Sequence, residues 1–578
     1  MYHPPANGVE QRAAVLFCAP FGWEDMGSYP VRAVWAERLA EAGHPVLRCD
    51  RPGSGQSAGG PTDPGQLPNW LRAIAEAASW LRHTGESPRV AAIGIGLGGL
   101  LALQATAEGA AIDDLVLWGT PASGRVLTRM LRAFAGLQAS SQDGEDSALP
   151  SGWLQSAGYV LDAETIADLN TLRPDGTDVG RLRGALLLEQ DATALDTVLV
   201  GHLEQAGVQV RTAPGPGYTA MLDNPDLSIV PDATIDTVAT WLERESDPTP
   251  APAATATPTQ AVPVARDRLE LEIDGVGVYE RAYTVERASG GSMFGVLAEP
   301  AEPSGEDLCL ICLPSWAERC IGPSRLWVEV ARRHAARGIT VLRVDLESIG
   351  DSDGPREAMR IESAVWENDR IVQVREVMDS LQERGHGSRF LLLGLCSGGY
   401  WAQQAAADPR VAGIVGLNPM VSRTGKALLQ HDAARRALLI FQPSWWRKLA
   451  RGEVSIDKGL LTVRKGIESQ ARRLRSRSRS RPRGDAAEPA LADSAHSMTV
   501  LLELLQQRGA QMILGFAERE VGYNQLELEG ILKQPERWPA LRIHRFASSD
   551  HNLRAVVNQQ AIHALVDDLL AGVRPRVS

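Results

Sequence analysis

A cysteine framed by glycines, Gly394-Leu395-Cys396-Ser397-Gly398, follows the apolar run Phe390–Leu395 and opens a segment of helical composition, Gly399–Ala407. A nucleophile on a sharp strand-to-helix turn needs small flanking residues. At a helix N-terminus the dipole also favours a thiolate. The unreactive alternative is a small buried cysteine at a tight turn. A nucleophilic cysteine needs a base, and the base needs an orienting acid. His551, in FASSDHNLRA, follows the apolar run Leu541–Phe546 on what reads as a loop and is the candidate base. His334, His386, His431, His496, His544 and His563 fall in helical, insertion or strand contexts instead. Between cysteine and histidine lies MILGFAEREVGYN, which sets Glu518 and Glu520 at the end of an apolar run. Nucleophile, acid and base then follow in one of the chain orders that triads adopt. The N–H of Ser397 would face the oxyanion of an attacked carbonyl. A second donor, from Ser315 or Trp316, belongs on the loop LPSWAERCIGP.

This set reads as acyl transfer through a thioester: an ester or thioester is attacked by Cys396, and acyl-Cys396 is released to an amine, an alcohol or water. Transfer is favoured over plain thioesterase or esterase action, because a long lid would exclude water. The competing readings are a non-catalytic binding or scaffold protein, and a redox thiol, for which the sequence shows no nearby resolving cysteine and only the fold could bring Cys320 close.

The surrounding elements must place these residues. Apolar runs of strand length occur at Leu308–Leu313, Ile339–Asp345, Phe390–Leu395, Gly413–Leu417, Met512–Phe516 and Leu541–Arg545. Helical segments such as Leu326–Arg337 and Glu362–Glu383 lie between them. That alternation predicts a parallel sheet covered on both faces. Ahead of it, Arg268–Glu286 and Met293–Glu299 alternate like a β-meander on the sheet edge. An insertion from Val421 to about Ser497, before the helix Met498–Arg508, is expected to lie as a helical lid over the carboxyl ends of the strands. It contains ARRLRSRSRSRPRG, with seven arginines at 471–484, read as a solvated loop or as a contact for an acidic carrier protein. Trp445 and Trp446 are expected to pack this lid.

The chain contains the pattern twice. Strand-like runs Ala14–Pro20, Pro45–Asp50, Val90–Gly94, Asp114–Gly119 and Ala185–Glu189 alternate with helical Pro30–Ala42 and Trp70–Arg82. VLRCDRPGSGQS at 46–57 matches VLRVDLESIGDS at 341–352, and AAIGIGLGG at 91–99 matches LLLGLCSGG at 391–399. Between the copies, residues 246–266 carry five prolines among Ala and Thr, a stiff linker. Three parts are expected: 1–245, the linker 246–266, and 267–578 with its lid at about 421–497. In the first copy the nucleophile position is Gly96. Asp191 stands where an acid would, no histidine follows VQVRTAPGPG, and His202 precedes that strand. This copy reads as degenerate, a support or binding element.

These residues resemble the α/β-hydrolase superfamily. More narrowly, both copies are similar to the hydrolases associated with exosortase A systems. FCAPFGWED, LRCDRPGSGQS and DLVLWGTPASGRVLTRMLRAF carry the likeness in the first copy. GPSRLWVEVARRHAARGITVLRVDLESIGDS, GLCSGGYWA and DHNLR carry it in the second. The resemblance implies two tandem α/β-hydrolase folds, mostly parallel and doubly wound, the second with a cysteine elbow. Similar sequences have S-E-x-D-x-G after the penultimate strand; AEREVG fits that register with Glu520 in the acid's place. Glu518 is the fallback, on a G-x-x-D register. The cysteine elbow is also similar to those of dienelactone hydrolases and polyhydroxyalkanoate synthases, the latter implying acyl thioesters passed to an acceptor.

The 578 residues are 44% apolar and 22% charged, an ordinary folded composition with a net charge of −12. A general nucleic-acid binder is not expected. The six cysteines form no CxxC pair, so neither a disulfide framework nor a structural zinc site is read. No apolar stretch is long enough to span a bilayer, and the first residues lack a signal-peptide pattern, so a cytoplasmic protein is expected. No nucleotide loop is present; no cofactor and no metal are expected. The partner expected is a small-molecule or carrier-bound acyl substrate.

Overall fold

Side chains alternate across a strand, so a strand apolar at every position must be covered on both faces. Ala14–Cys18, Val90–Ile95, Asp114–Trp118 and Gly184–Leu188 are buried throughout their lengths. Leu16 turns to one face, against Trp70, Ile74, Leu101 and Leu103. Phe17 turns to the other, against Trp35, Leu39, Ile93 and Trp241. The computed structural model describes residues 1–84, 87, 89–139, 149–174, 178–179, 182–191, 195–244, 266–305, 307–356, 362–421, 498–548 and 550–573. The linker at 246–265 and the insertion at 422–497, with Trp445, Trp446 and the arginine run 471–484, lie outside the described residues.

In space the first sheet runs Tyr2–His3, Val46–Arg48, Ala14–Cys18, Val90–Ile95, Asp114–Trp118, Gly184–Leu188, Gln209–Ala213, parallel except for its first edge strand. From the central strand Ala14–Cys18 the chain moves to one side and then crosses to Val90–Ile95 on the other. The loops leaving those two strands therefore flank the crevice at which open sheets place ligands. The helix expected from Pro30 is longer, Trp23–Glu41, and runs through that proline. Gly22, at φ 65, turns the chain into it, and Glu24 and Asp25 stand in its first turn, where acids suit the dipole.

The second sheet repeats this order and extends it: Leu269–Ile273, Val276–Glu286, Ser292–Pro300, Thr340–Val344, Leu308–Leu313, Arg389–Leu395, Val411–Leu417, Gln511–Phe516, Leu541–Arg545. The expected meander is its first three strands, joined by antiparallel pairing of Leu297 with Leu342. Glu362–Glu383 divides into Glu362–Val365 and Asp369–Glu383. The doubly wound, mostly parallel fold read from the sequence thus occurs twice.

Both sheets fall in one compact unit, Met1–Pro419 with Ala510–Glu518 and Arg542–Ser578. Within it the matched segments of the two copies face each other. Arg48 donates to Asp351 at 2.9 Å, and Tyr29 Oη donates to the same carboxylate at 2.6 Å. In the reciprocal place Arg343, which matches Arg48, donates to Gln56, which matches Asp351. Arg319 grips Asp50 with two bonds of 3.0 Å. Arg325 donates to the carbonyls of Gly55, Ser57 and Gly59 at 3.0, 2.8 and 2.8 Å. Reciprocal contacts of this kind are those of a two-fold pair, here joined in one chain. A second unit, Met420–Gly509 with Arg519–Leu541, contains the helices Met498–Arg508 and Val521–Leu528. No helix among the described residues is long and apolar enough to cross a membrane.

Candidate active site

The strand Arg389–Leu395 ends at Cys396, and the helix Ser397–Ala405 starts directly after it. Cys396 adopts φ 54, ψ −116 and is half-buried. Its N–H donates to Leu417 O at 2.8 Å and its carbonyl accepts from Tyr400 N–H at 3.0 Å, which fixes the turn. A Cβ on Gly398 would lie 2.4 Å from Pro314 O, so only glycine lets the loop after Leu308–Leu313 approach the elbow this closely. The same loop is latched from its other side: Trp316 N–H donates to Ser397 Oγ at 2.7 Å. Of the expected oxyanion donors, the Trp316 amide is therefore committed to that hydroxyl in this conformation. Ser315 is buried beside it, and its carbonyl accepts from Glu318 N–H at 2.8 Å.

His551 is exposed on the loop after Leu541–Arg545. That loop is built on Asp550, which takes both Arg554 guanidinium bonds at 3.0 Å and the N–H groups of Arg554 and Asn552. Burial pushes the Asp550 carboxyl up, but Arg554 and these N–H donors outweigh it and hold it below the usual carboxylate range. Asn418 ties the loop to the sheet. Its Nδ2 donates to His551 O at 2.6 Å, its Oδ1 accepts from Ala517 N–H at 2.7 Å, and its own N–H donates to Gly515 O at 2.7 Å. One residue thus ties the ends of Val411–Leu417 and Gln511–Phe516 to the loop of His551, a role that nothing in the sequence marks.

Cys396, Ser397, Ser315, Trp316 and His551 all belong to the first unit. So does Glu518, whose side chain is exposed and whose N–H donates to Ser548 O at 2.7 Å. Glu520 belongs to the second unit, at the N-cap of the helix Val521–Leu528. Cys320 is buried, accepts from Gln56 Nε2 at 3.1 Å, and has its thiol pushed far up by burial. It sits between the two copies, buried and bonded to Gln56, where a thiol held protonated is a poor attacking group.

The first copy retains the elbow without a nucleophile. Gly96 adopts φ 53, ψ −123, and its N–H donates to Trp118 O at 3.0 Å, as Cys396 does to Leu417. A Cβ at Gly96 would lie 2.8 Å from Glu24 Oε2 and 3.6 Å from Tyr218 Oη. Glu24 therefore fills the space that a side chain at Gly96 would take. Asp191, the acid-like residue, caps the segment at Gly217 and Thr219 with bonds of 2.6 and 2.9 Å. Burial pushes the Glu24 carboxyl up to about 7. A carboxyl raised on folding binds its proton more tightly in the native state. It adds stability below the unfolded glutamate value of about 4.3, and that stability is lost as pH rises through 7. Glu24→Gln is accordingly expected to match wild type at pH 4 and to exceed it at pH 8, by up to about 3 kcal/mol, in urea denaturation. An unchanged difference at the two pH values would count against it.

Residues 310–571 match the model of the alpha/beta hydrolase family. A search of curated proteins finds no match. Among solved structures, DcsB in complex with a substrate analogue is similar at 16% identity and a TM-score of 0.31, over 51% of this chain and 100% of that one. The Pyrococcus furiosus esterase Pf2001 is similar at 13% identity and a TM-score of 0.31, over 50% and 92%. An a/b serine hydrolase without lid from Xanthomonas campestris is similar at 13% identity and a TM-score of 0.30, over 52% and 97%.

Proposed function

For an α/β-hydrolase fold present twice, with a side chain at only one of its two elbows, we propose a cysteine-dependent acyl-transfer enzyme working through acyl-Cys396. The observation that carries this is internal to the chain. The same turn is built with glycine in one copy, at φ 53, and with cysteine in the other, at φ 54. Glycine adopts that backbone freely; cysteine pays roughly 1–3 kcal/mol for it. A strained side chain at the carboxyl end of a central strand is supported by a use there.

In this reading His551 takes the Cys396 proton, and the sulfur attacks an ester or thioester carbonyl. Ser397 N–H faces the oxyanion, contributing on the order of 3 kcal/mol. The leaving oxygen or sulfur departs with the proton held by His551. An amine, an alcohol or water then attacks acyl-Cys396. Chain order admits both Glu518 and Glu520, and the register of similar sequences favours Glu520 as the acid, with Glu518 in reserve; comparing Glu520→Gln with Glu518→Gln decides between them. The first copy, with Glu24 in the space that a side chain at Gly96 would take, serves as a support for the second. A small-molecule or carrier-bound acyl thioester is the proposed donor.

The test is intact-protein mass spectrometry after incubation with short-chain acyl thioesters. A mass increase equal to one acyl group, mapped to Cys396, is expected. No adduct from any thioester, with Cys396 also inert to thiol reagents, would overturn the reading.

A further inference from the structure

The loop that meets the elbow carries a carboxylate that the mechanism above does not use. Glu318 lies four residues after Pro314, and its Oε2 is buried with no hydrogen-bond partner among the described residues. The charged and titratable groups around it are Arg554, Asp550, His551, Asp226 and Tyr159. Arg554 is engaged by both oxygens of Asp550 and supplies Glu318 with no pairing of its own. A buried carboxylate oxygen with no ion-pair or hydrogen-bond partner among the described residues is costly, and the site that holds it is complementary to a positive ligand. The other copy shows where this position points. Glu24, four residues after Pro20, lies against the nucleophile's place at Gly96. Two copies of one loop thus set a half-buried glutamate at the same step from the matching proline, and in the second copy the position matching Gly96 is occupied by Cys396.

We infer that Glu318 receives the acyl acceptor, and that this acceptor is a primary amine arriving as its ammonium ion. The inference rests on the acyl-Cys396 reading. The ammonium gives one N–H proton to the Glu318 carboxylate. The freed lone pair forms the C–N bond at the acyl carbon while the C–S bond to Cys396 breaks. The second N–H proton passes to His551 and from there to the departing sulfur, restoring the thiol. Glu318 then returns its proton to water. Burial, with Asp226 and Asp550 nearby, pushes the Glu318 carboxyl up to about 7 against the pull of Arg554 and His551. That value suits a group that must accept and release a proton near neutral pH.

The experiment uses the full chain as wild type, Glu318→Gln and Glu318→Asp, each acylated by a butyryl thioester. The acyl-enzyme is chased at pH 7 with n-butylamine, with methoxyamine, which is neutral at that pH, or with buffer alone. For Glu318→Gln, amide formation from n-butylamine is expected to fall by about 10²-fold. Amide from methoxyamine and hydrolysis in buffer should stay within about three-fold, and Glu318→Asp should fall between wild type and Glu318→Gln. Equal losses with both amines and water, or no loss with n-butylamine, would overturn the inference. A merely structural role would move all three together. Failure of wild type to form any adduct on Cys396 would instead remove the underlying reading. An adduct that forms normally but shows no charge-dependent loss removes only the role of Glu318.

Discussion

Cys396→Ala is expected to abolish the acyl adduct and to lower turnover of acyl thioesters by about 10³–10⁶-fold. The range is wide because a site that has lost its nucleophile keeps its binding and its oxyanion donors. These alone retain part of the acceleration in other acyl-transfer enzymes. Two features make the variant informative. Alanine keeps a Cβ at φ 54, so the elbow pays the same backbone strain and stability should change little. The helix Ser397–Ala405 and the contact of Gly398 with Pro314 do not depend on the sulfur. Loss of activity without loss of folding therefore reports chemistry. Gly96→Cys, the reverse change in the first copy, is expected to bring no acylation. Its Cβ would enter the space of Glu24 Oε2, and the residue that the loop after Gln209–Ala213 sets beside it is Tyr218, which is no base at neutral pH. Steady-state turnover and intact mass, read on the same samples, check both statements. Turnover by Cys396→Ala within about ten-fold of wild type would exclude the covalent route.

The parts of this arrangement set by local pattern were legible in the sequence. Leu308–Leu313, Leu541–Arg545 and Met498–Arg508 have the bounds that periodicity gave them, because the periodic apolar positions end where turn chemistry begins. The elbow was legible because close backbone approach leaves only glycine at Gly394 and Gly398. What escaped the reading depends on partners far away in the chain. Asn418 looks like the end of a strand, and only the fold brings Ala517 and His551 to its amide. Glu318 looks like any loop glutamate until the equal spacing from Pro20 to Glu24 and from Pro314 to Glu318 is noticed. That repeat was present in the sequence and is the signal that could have found it. The helix Trp23–Glu41 was begun too late because a proline is a common first helical residue, whereas here it sits inside.

Asp50→Ala is expected to destabilise the protein by about 3–5 kcal/mol, the largest effect foreseen for a residue outside the elbow. Asp50 pairs with the buried Arg319 across the two copies, and Arg319 is also stacked 4.0 Å from the Tyr29 ring centroid. Removing the carboxylate leaves that guanidinium buried and uncompensated and releases Gln56 N–H, held at 2.8 Å. The double variant Asp50→Ala/Arg319→Met should lose less than Asp50→Ala alone, since the cost lies in the stranded charge more than in the missing pair. The duplicated chain supplies its own control. Asp345 stands at the matching position, and the turn before Gly350 is folded around it as Gly55 is around Asp50. Among the described residues no cation forms an ion pair with Asp345 as Arg319 does with Asp50. Burial and the neighbouring Asp351 push its carboxyl up to about 7, whereas Arg319 and the Gln56 N–H overcome burial at Asp50 and hold it well below the carboxylate range. The two aspartates therefore act on stability with opposite signs. The Asp50 contribution is present above the unfolded value of about 3.9 and is lost as pH falls through its depressed folded value. The Asp345 contribution is present below about 3.9 and is lost as pH rises through 7. Denaturant midpoints at pH 5 and pH 8 separate them. Asp345→Asn should gain on wild type between those values, while Asp50→Ala should stay far below it at both. A loss under about 1 kcal/mol for Asp50→Ala would mean that the copies are held together by their backbone contacts, those of Arg325 with Gly55, Ser57 and Gly59 above all, and not by the buried ion pair.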